Sequence, residues 1–200
     1  MSSTPDIQRV SGKDLLRYID DVARLRISVF REYPYLYDGD MEYERRYLQT
    51  YADCSQAVVV VALNGAEVVG ASTGIPMRYE ETSFRSPLQE AGYDPDRFFY
   101  CAESVLAPAW RGRGLGVRFF QEREAYATEL GGFDYACFCS VVRPADHPLR
   151  PGHYQPLDRF WGKRGYHRLP SVLAHYAWKD VDSQEQTTKT LEFWVKSFGT

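Results

Sequence analysis

Hydrophobic positions along the chain change their spacing several times, and those changes mark the elements. Ile7 to Val10 reads as a short strand closed by Ser11, where Ser11-Gly12-Lys13-Asp14 forms a loose capping box for a following helix. Leu15, Leu16, Ile19, Val22, Leu25, Ile27, Val29 and Phe30 recur at mostly helical spacing and predict an amphipathic helix that stops before Pro34. An aromatic turn, Tyr33 to Asp40, leads into a second helix over Met41 to Tyr51. Ala57 to Leu63 is an unbroken apolar, β-branched run, Asn64-Gly65 is a two-residue hairpin signal, and Ala66 to Pro76 is the returning strand.

The polar stretch Arg78 to Asp96, with Pro87 and Pro95, reads as a helical or loop excursion before the next strand, Phe98 to Leu106. The pattern then predicts a helix over Val117 to Leu130, a strand over Phe133 to Val142 and a short helix over Leu157 to Arg164. Strands over Val172 to Trp178 and Thr187 to Phe198, joined by the turn Lys179 to Gln186, complete the order. No repeat or linker divides it, so residues 1–200 are expected to form one α+β domain.

Composition narrows the class without changing this picture. A chain of 200 residues that is 44% hydrophobic is long enough to bury one sizeable core. Its net charge of −3 argues against the basic face of a nucleic-acid-binding protein. No run approaches the ~20 apolar residues of a membrane span, and Met1 to Asp6 lacks the pattern of a secretory signal, so a cytoplasmic protein is expected. Four cysteines fit a reducing compartment. Cys137 and Cys139 share one face of a strand, where a metal is chemically allowed, but Cys-x-x-Cys spacing is missing. With Cys101 they read as strand packing, and no metal is expected.

The most specific chemistry lies at the junction of the fourth predicted strand and its helix. There Arg111-Gly112-Arg113-Gly114-Leu115-Gly116 presents backbone N–H groups at a helix start, an arrangement suited to a phosphate. No Lys-Ser or Lys-Thr follows the glycines, which excludes a P-loop, and their two-and-two spacing excludes the dinucleotide fingerprint.

The loop resembles the Arg/Gln-x-x-Gly-x-Gly/Ala signature of the GNAT superfamily of acyl-CoA-dependent N-acetyltransferases, with Arg111, Gly114 and Gly116 in its fixed places. Val105-Leu106-Ala107-Pro108-Ala109-Trp110 is similar to the strand and Pro-containing turn before that loop. Phe160-Trp161-Gly162-Lys163-Arg164-Gly165-Tyr166 is similar to the aromatic-x-Lys-x-Gly-aromatic ending of the family's last helix. The likeness spans roughly residues 98–178. It implies a mixed sheet flanked by helices, whose central strands, here Phe98 to Leu106 and Phe133 to Val142, splay to admit the pantetheine arm of acetyl-CoA as co-substrate. It also implies that Val105, Leu106, Arg111, Gly112, Arg113, Gly114, Leu115 and Gly116 bind that co-substrate, with the Leu106 N–H on the thioester carbonyl.

Acyl transfer to an amine requires a base and a protonated leaving thiolate. Glu103, a carboxylate in an otherwise small and apolar strand, is the candidate base, and a structural pairing with an arginine is the competing reading. The family usually has a tyrosine where Trp161 stands, and an indole N–H does not release a proton near neutrality. Tyr154 is the preferred replacement acid, with His153 and Tyr166 as others. The aromatic turn, through Tyr35, Tyr37, Asp38 and Asp40, and the Pro-rich segment 143–156, through Arg143 and His147, are the expected acceptor contacts. The resulting expectation is acetylation of a primary amine on a small molecule by direct attack. A protein or peptide amine, or a non-catalytic acyl-CoA sensor, are the alternatives. Phe193 and Trp194 offer either a homodimer edge or core packing.

Overall fold

A computed structural model describes residues 4–199. Its strands are β1 (Asp6–Val10), β2 (Val58–Asn64), β3 (Glu67–Pro76), β4 (Phe98–Tyr100), β5 (Ser104–Leu106), β6 (Tyr135–Val141), β7 (His167–Lys179) and β8 (Gln186–Ser197). The helices are α1 (Ile19–Phe30), α2 (Met41–Asp53), α3 (Thr82–Glu90), α4 (Leu115–Leu130) and α5 (Asp158–Gly162). One mixed sheet runs in the order β1-β2-β3-β4-β6-β8-β7, with β5 also paired to β3. All neighbours are antiparallel except β4 and β6.

The unbroken apolar run of β2 follows from burial on both faces. Val59, Val61 and Leu63 pack with Leu15, Val22 and Leu48 beneath α1 and α2, whereas Val58, Val60 and Ala62 pack with Phe119, Phe120 and Ala127 of α4. Each face of the sheet therefore has its own core.

Several elements differ from the pattern-based expectation. The first predicted helix is divided into a 3₁₀ segment, Gly12–Tyr18, and α1, and the Ser11 side chain makes no capping bond. The hairpin pairs Asn64 with Glu67, so its turn residues are Gly65 and Ala66, with Gly65 at φ 63°. β7 begins at His167, earlier than Val172, and a register shift between Arg168 and Leu173 interrupts the alternation on which the expectation rested. Phe193 and Trp194 lie on β8, between β6 and β7, and are buried within the chain, so they form no dimer edge. No helix among the described residues is long and apolar enough to cross a membrane.

The departure that matters most is in Phe98 to Leu106, which is broken into β4 and β5. Tyr100 stands opposite Ile75, and Ser104 opposite Ser72: four residues advance on one strand against three on the other, a β-bulge. The Cys101 N–H donates to the Cys137 carbonyl at 2.7 Å, the last backbone link from this segment to β6. Beyond it β5 follows β3, while β6 continues to Val141 paired only with β8. The central strands thus part at the place expected.

Arg123 of α4, 1% exposed, stabilises the bulge. Its Nη1 donates to the carbonyls of Glu103 at 3.0 Å and Thr73 at 3.2 Å, and the Glu103 carbonyl also accepts the Thr73 N–H at 3.0 Å. With no carboxylate partner among the described residues, the buried guanidinium is tolerable because carbonyls exposed by the irregularity receive its protons.

Candidate active site

One side of the gap is an open strand edge. The Thr73–Glu103 and Ala107–Val69 backbone bonds place the odd residues of β5 in hydrogen-bonding pairs with β3, so the N–H and C=O groups of Ser104 and Leu106 point away from β3 and into the gap. Val105 is buried in the core under α1, and Leu106 packs toward α4. The Leu106 carbonyl accepts Arg111 Nε at 3.2 Å, and Arg111 is also paired with Glu32 at 2.8 Å.

The glycine loop follows directly. Gly112 and Gly114 have φ of 75° and 83°, a conformation that only glycine adopts without strain. Gly114 ends the loop and starts α4: its carbonyl accepts the Val117 N–H at 3.0 Å, so the N–H groups of Leu115 and Gly116 lie ahead of the first intrahelical bond. The Arg113 guanidinium lies 4.7 Å from the Trp110 ring centroid. At Gly116 a Cβ would come within 3.3 Å of Phe160 Cζ, so the last loop glycine gives α4 room to approach α5.

On the α1–α3 side of the sheet a cavity of about 210 Å³ reaches this parting point, where Tyr100, Ala102, Glu103 and Cys139 line it. Its other walls are aromatic and acidic. Tyr35, Tyr37, Tyr43, Tyr47, Tyr176 and Trp178 supply rings, while Asp38, Asp40, Glu44, Glu80 and Glu81 join Glu103 as carboxylates. Arg26 of α1 binds Glu44 through Nε and Glu103 through Nη1, and its guanidinium lies 4.2 Å from the Tyr47 ring centroid. Tyr47 donates its hydroxyl proton to Glu103 Oε2 at 2.7 Å and its oxygen lies 2.9 Å from that of Tyr51. Burial opposes the charge on Arg26, but Glu103, Tyr47 and Glu44 outweigh it and raise the guanidinium pKa. Glu103 is therefore both paired with an arginine and directed at the cavity.

Glu80, like Glu44, is a site residue that sequence reasoning missed. It follows the turn Met77–Tyr79 at the end of β3, is half-buried, and has no ion-pair partner among the described residues. Burial first, then the charges of Glu103 and Glu81, push its carboxyl up to about 7, against opposing hydrogen bonds from the Glu81 backbone and Tyr51. Its signal was available: two consecutive acids immediately beyond a buried strand, where loops carry functional groups.

Other expected site residues are distributed differently. Tyr35, Tyr37 and Asp38 line the cavity. Burial raises the phenols of Tyr35 and Tyr37, so both stay protonated, and Lys179 and Arg31 hold the Asp38 carboxyl below its ordinary value. Arg143, with its side chain 7% exposed, lies outside the cavity. It clamps Asp180 at 2.8 Å and donates to the carbonyls of Pro34 at 2.8 Å and Tyr35 at 2.6 Å, which fixes the aromatic turn from behind. His147 and Tyr154 also lie outside it, against the Tyr33 ring at centroid distances of 5.9 and 4.6 Å. Trp161 packs between Phe138 and Trp194, at 5.0 Å from each. Cys101, Cys137 and Cys139 are buried, and burial raises all three thiols, which leaves them as packing groups.

No family model and no curated protein matches the sequence. Solved structures do. An acetyltransferase from Streptococcus agalactiae is 14% identical with a TM-score of 0.61, covering 96% of this chain and 98% of its own. The ribosomal-protein-alanine N-acetyltransferase from Brucella melitensis is 15% identical with a TM-score of 0.60, covering 96% and 99%. NAA60 from Arabidopsis thaliana, solved in complex with acetyl-CoA, is 13% identical with a TM-score of 0.61, covering 98% and 99%. The chain has the fold of the GNAT acetyltransferases.

Proposed function

We propose that this protein is an N-acetyltransferase that moves an acetyl group from acetyl-CoA to a primary amine of a small molecule, by direct attack in a ternary complex. One observation carries the reading: an acidic, aromatic cavity meets an open strand edge and a glycine loop at the point where the central strands part. The cavity volume of about 210 Å³ is of a size for a small acceptor.

Acetyl-CoA supplies the activated acetyl group. Leu115 and Gly116 N–H groups, at the positive end of α4, receive its pyrophosphate, and Ser104 and Leu106 offer N–H and C=O groups along the gap. The Leu106 N–H holds the carbonyl oxygen as charge develops on it. Glu80 takes the ammonium proton, directly or through water, and frees the nitrogen lone pair to form the C–N bond while the C–S bond breaks. Glu103 pairs with Arg26 and orders the Tyr47–Tyr51 hydroxyl pair between itself and Glu80. Tyr154 protonates the leaving thiolate, and the second proton, shed by the nitrogen once it is acylated, restores the Tyr154 phenol. It packs on Tyr33, whose chain neighbour Glu32 grips Arg111 beside the Leu106 carbonyl, at the donor end of the site.

Mixing the protein with acetyl-CoA and a panel of primary amines should release free thiol in step with an acetylated product. Stabilisation by CoA with no product from any amine would instead mark a binding or sensing module. Within the same assay, Gly114→Val is expected to raise KM for acetyl-CoA about tenfold, because a side chain at this left-handed position costs roughly 1–2 kcal/mol. An equal effect on the KM of the amine would show that the loop does not serve the donor alone.

A further inference from the structure

The cavity carries more negative charge than a monoamine acceptor would balance. Six carboxylates line it against Arg26 and Lys179. Lys179 is engaged with Asp38, which Arg31 also pairs, and Arg26 is divided between Glu44 and Glu103. Asp40 caps α2, accepting the Tyr43 N–H at 2.9 Å. A reacting amine must lose its charge before it attacks, so it does not neutralise this excess through the chemical step.

Glu44 indicates where the remaining charge is needed. Its side chain is 0% exposed; one oxygen, Oε2, meets Arg26 Nε, and the other, Oε1, has no partner at full hydrogen-bond geometry among the described residues, while the Tyr37 phenol bears on the same carboxylate. A buried carboxylate oxygen without a donor is costly, and a cationic donor recovers that cost. Two rings stand beside it. The Tyr37 phenol is close enough for the Glu44 charge to act on it, and Tyr43 meets Tyr37 edge-on at 6.5 Å. A Cβ on Gly39 would lie 2.3 Å from Tyr37 Cε1, so the glycine is what lets that ring occupy its place. Tyr43 is held in turn by the Tyr176 hydroxyl at 2.8 Å. A carboxylate flanked by fixed aromatic faces is a cation subsite.

We infer that the acceptor carries a second, non-reacting cationic group, seated between Glu44 and the rings of Tyr37 and Tyr43, while its reacting amine lies at Glu80 and Glu103; the class is a short alkane diamine. Because a single guanidinium joins Glu44 to Glu103, the two anionic points are separated by little more than its width, which suits a short spacer. The reacting end rests on the acetyl-transfer reading, whereas the cation subsite does not.

The test compares putrescine and cadaverine with n-butylamine, on the wild type and on Glu44→Gln, by thiol release and by thermal shift without acetyl-CoA. The wild type should prefer the diamines by roughly 10- to 100-fold in kcat/KM, and Glu44→Gln should close most of that gap. Equal kcat/KM for diamine and monoamine on the wild type would overturn the inference and leave acetyl transfer standing. Thermal stabilisation by putrescine that is lost in Glu44→Gln, with no thiol released from any amine, would retain the subsite and remove the transferase reading. Neither turnover nor stabilisation would remove both.

Discussion

Glu80→Gln is expected to lower kcat/KM about 10²- to 10⁴-fold near pH 8 and, under the same conditions, to make the protein more stable. The two effects share one cause. The Glu80 carboxyl is held at about 7 against an ordinary 4.5, chiefly by burial. Between those values the folded chain keeps a proton that the unfolded chain has released, so stability falls as pH rises through this window and is lowest above it. Glutamine has no proton to lose, and the gain at about pH 8 should be roughly 2 kcal/mol after allowance for the partial exposure of the site. The wild-type kcat/KM should rise with pH through about 7, and the variant should lose that limb. Glu103→Gln provides the contrast: it should reduce activity by disturbing Arg26 and Tyr47, yet keep the limb, moved to lower pH because the Glu103 charge no longer raises the Glu80 carboxyl. A limb that disappears in Glu103→Gln and persists in Glu80→Gln would reverse the two assignments. Urea melts across the pH range supply the stability readout.

Arg26→Met is expected to cost about 3–5 kcal/mol, which in a chain of this size corresponds to a fall in Tm of roughly 10 °C or more. The guanidinium, 7% exposed, is the ion-pair partner of Glu44 and Glu103, whose side chains are 0% and 8% exposed. Its removal leaves two carboxylates facing each other in a space that cannot hold two charges, so at least one must take a proton. The folded pKa of that pair then lies above the unfolded value. Stability of the variant is therefore present in acid and is lost as pH rises through the carboxylate range toward the raised folded value. The deficit relative to wild type should shrink near pH 4 and widen near pH 8. A deficit independent of pH would show that Arg26 acts through packing over Tyr47 alone. Adding Glu44→Gln to Arg26→Met should recover part of the loss, since one of the opposed charges is gone.

These experiments separate what hydrophobic spacing makes legible from what it does not. The strands and helices around the glycine loop follow from local rules: Gly112 and Gly114 need positive φ, β2 is apolar because both its faces are covered, and α4 begins where the loop ends. The loop was accordingly visible in the residues that form it, whereas the parting of the strands was expected only from the family resemblance. The acceptor side was visible only in part. Tyr35, Tyr37 and Asp38 announce themselves as an unusual turn, but Arg143, with a similar polar appeal, is consumed by Asp180 and two carbonyls. Nothing in local sequence says which of two polar residues will find its partners inside the chain. The role of Glu44, and the meeting of Glu80 with the other charges, were hidden because they arise from distance in sequence: Arg26, Glu44, Glu80 and Glu103 come from four separate segments that only the tertiary fold brings together.

The bulge between β4 and β5 can also be viewed as a shift of reading frame. Phe98, Tyr100 and Ala102 face the α1–α3 side, and Phe99 and Cys101 face α4, an even–odd rule that an undisturbed strand would extend indefinitely. Past the bulge the rule is inverted, with Val105 on the α1 side and Leu106 toward α4. In the original frame Glu103 would lie with Cys101 in the apolar layer under α4, where Arg26 and Tyr47 do not reach, and Leu106 would present the opposite edge to the gap. Deleting one residue there would leave the length of the site nearly unchanged and turn it inside out. The reacting centre of this protein thus depends on a parity, set by a single inserted residue, as much as on the identity of any side chain around it.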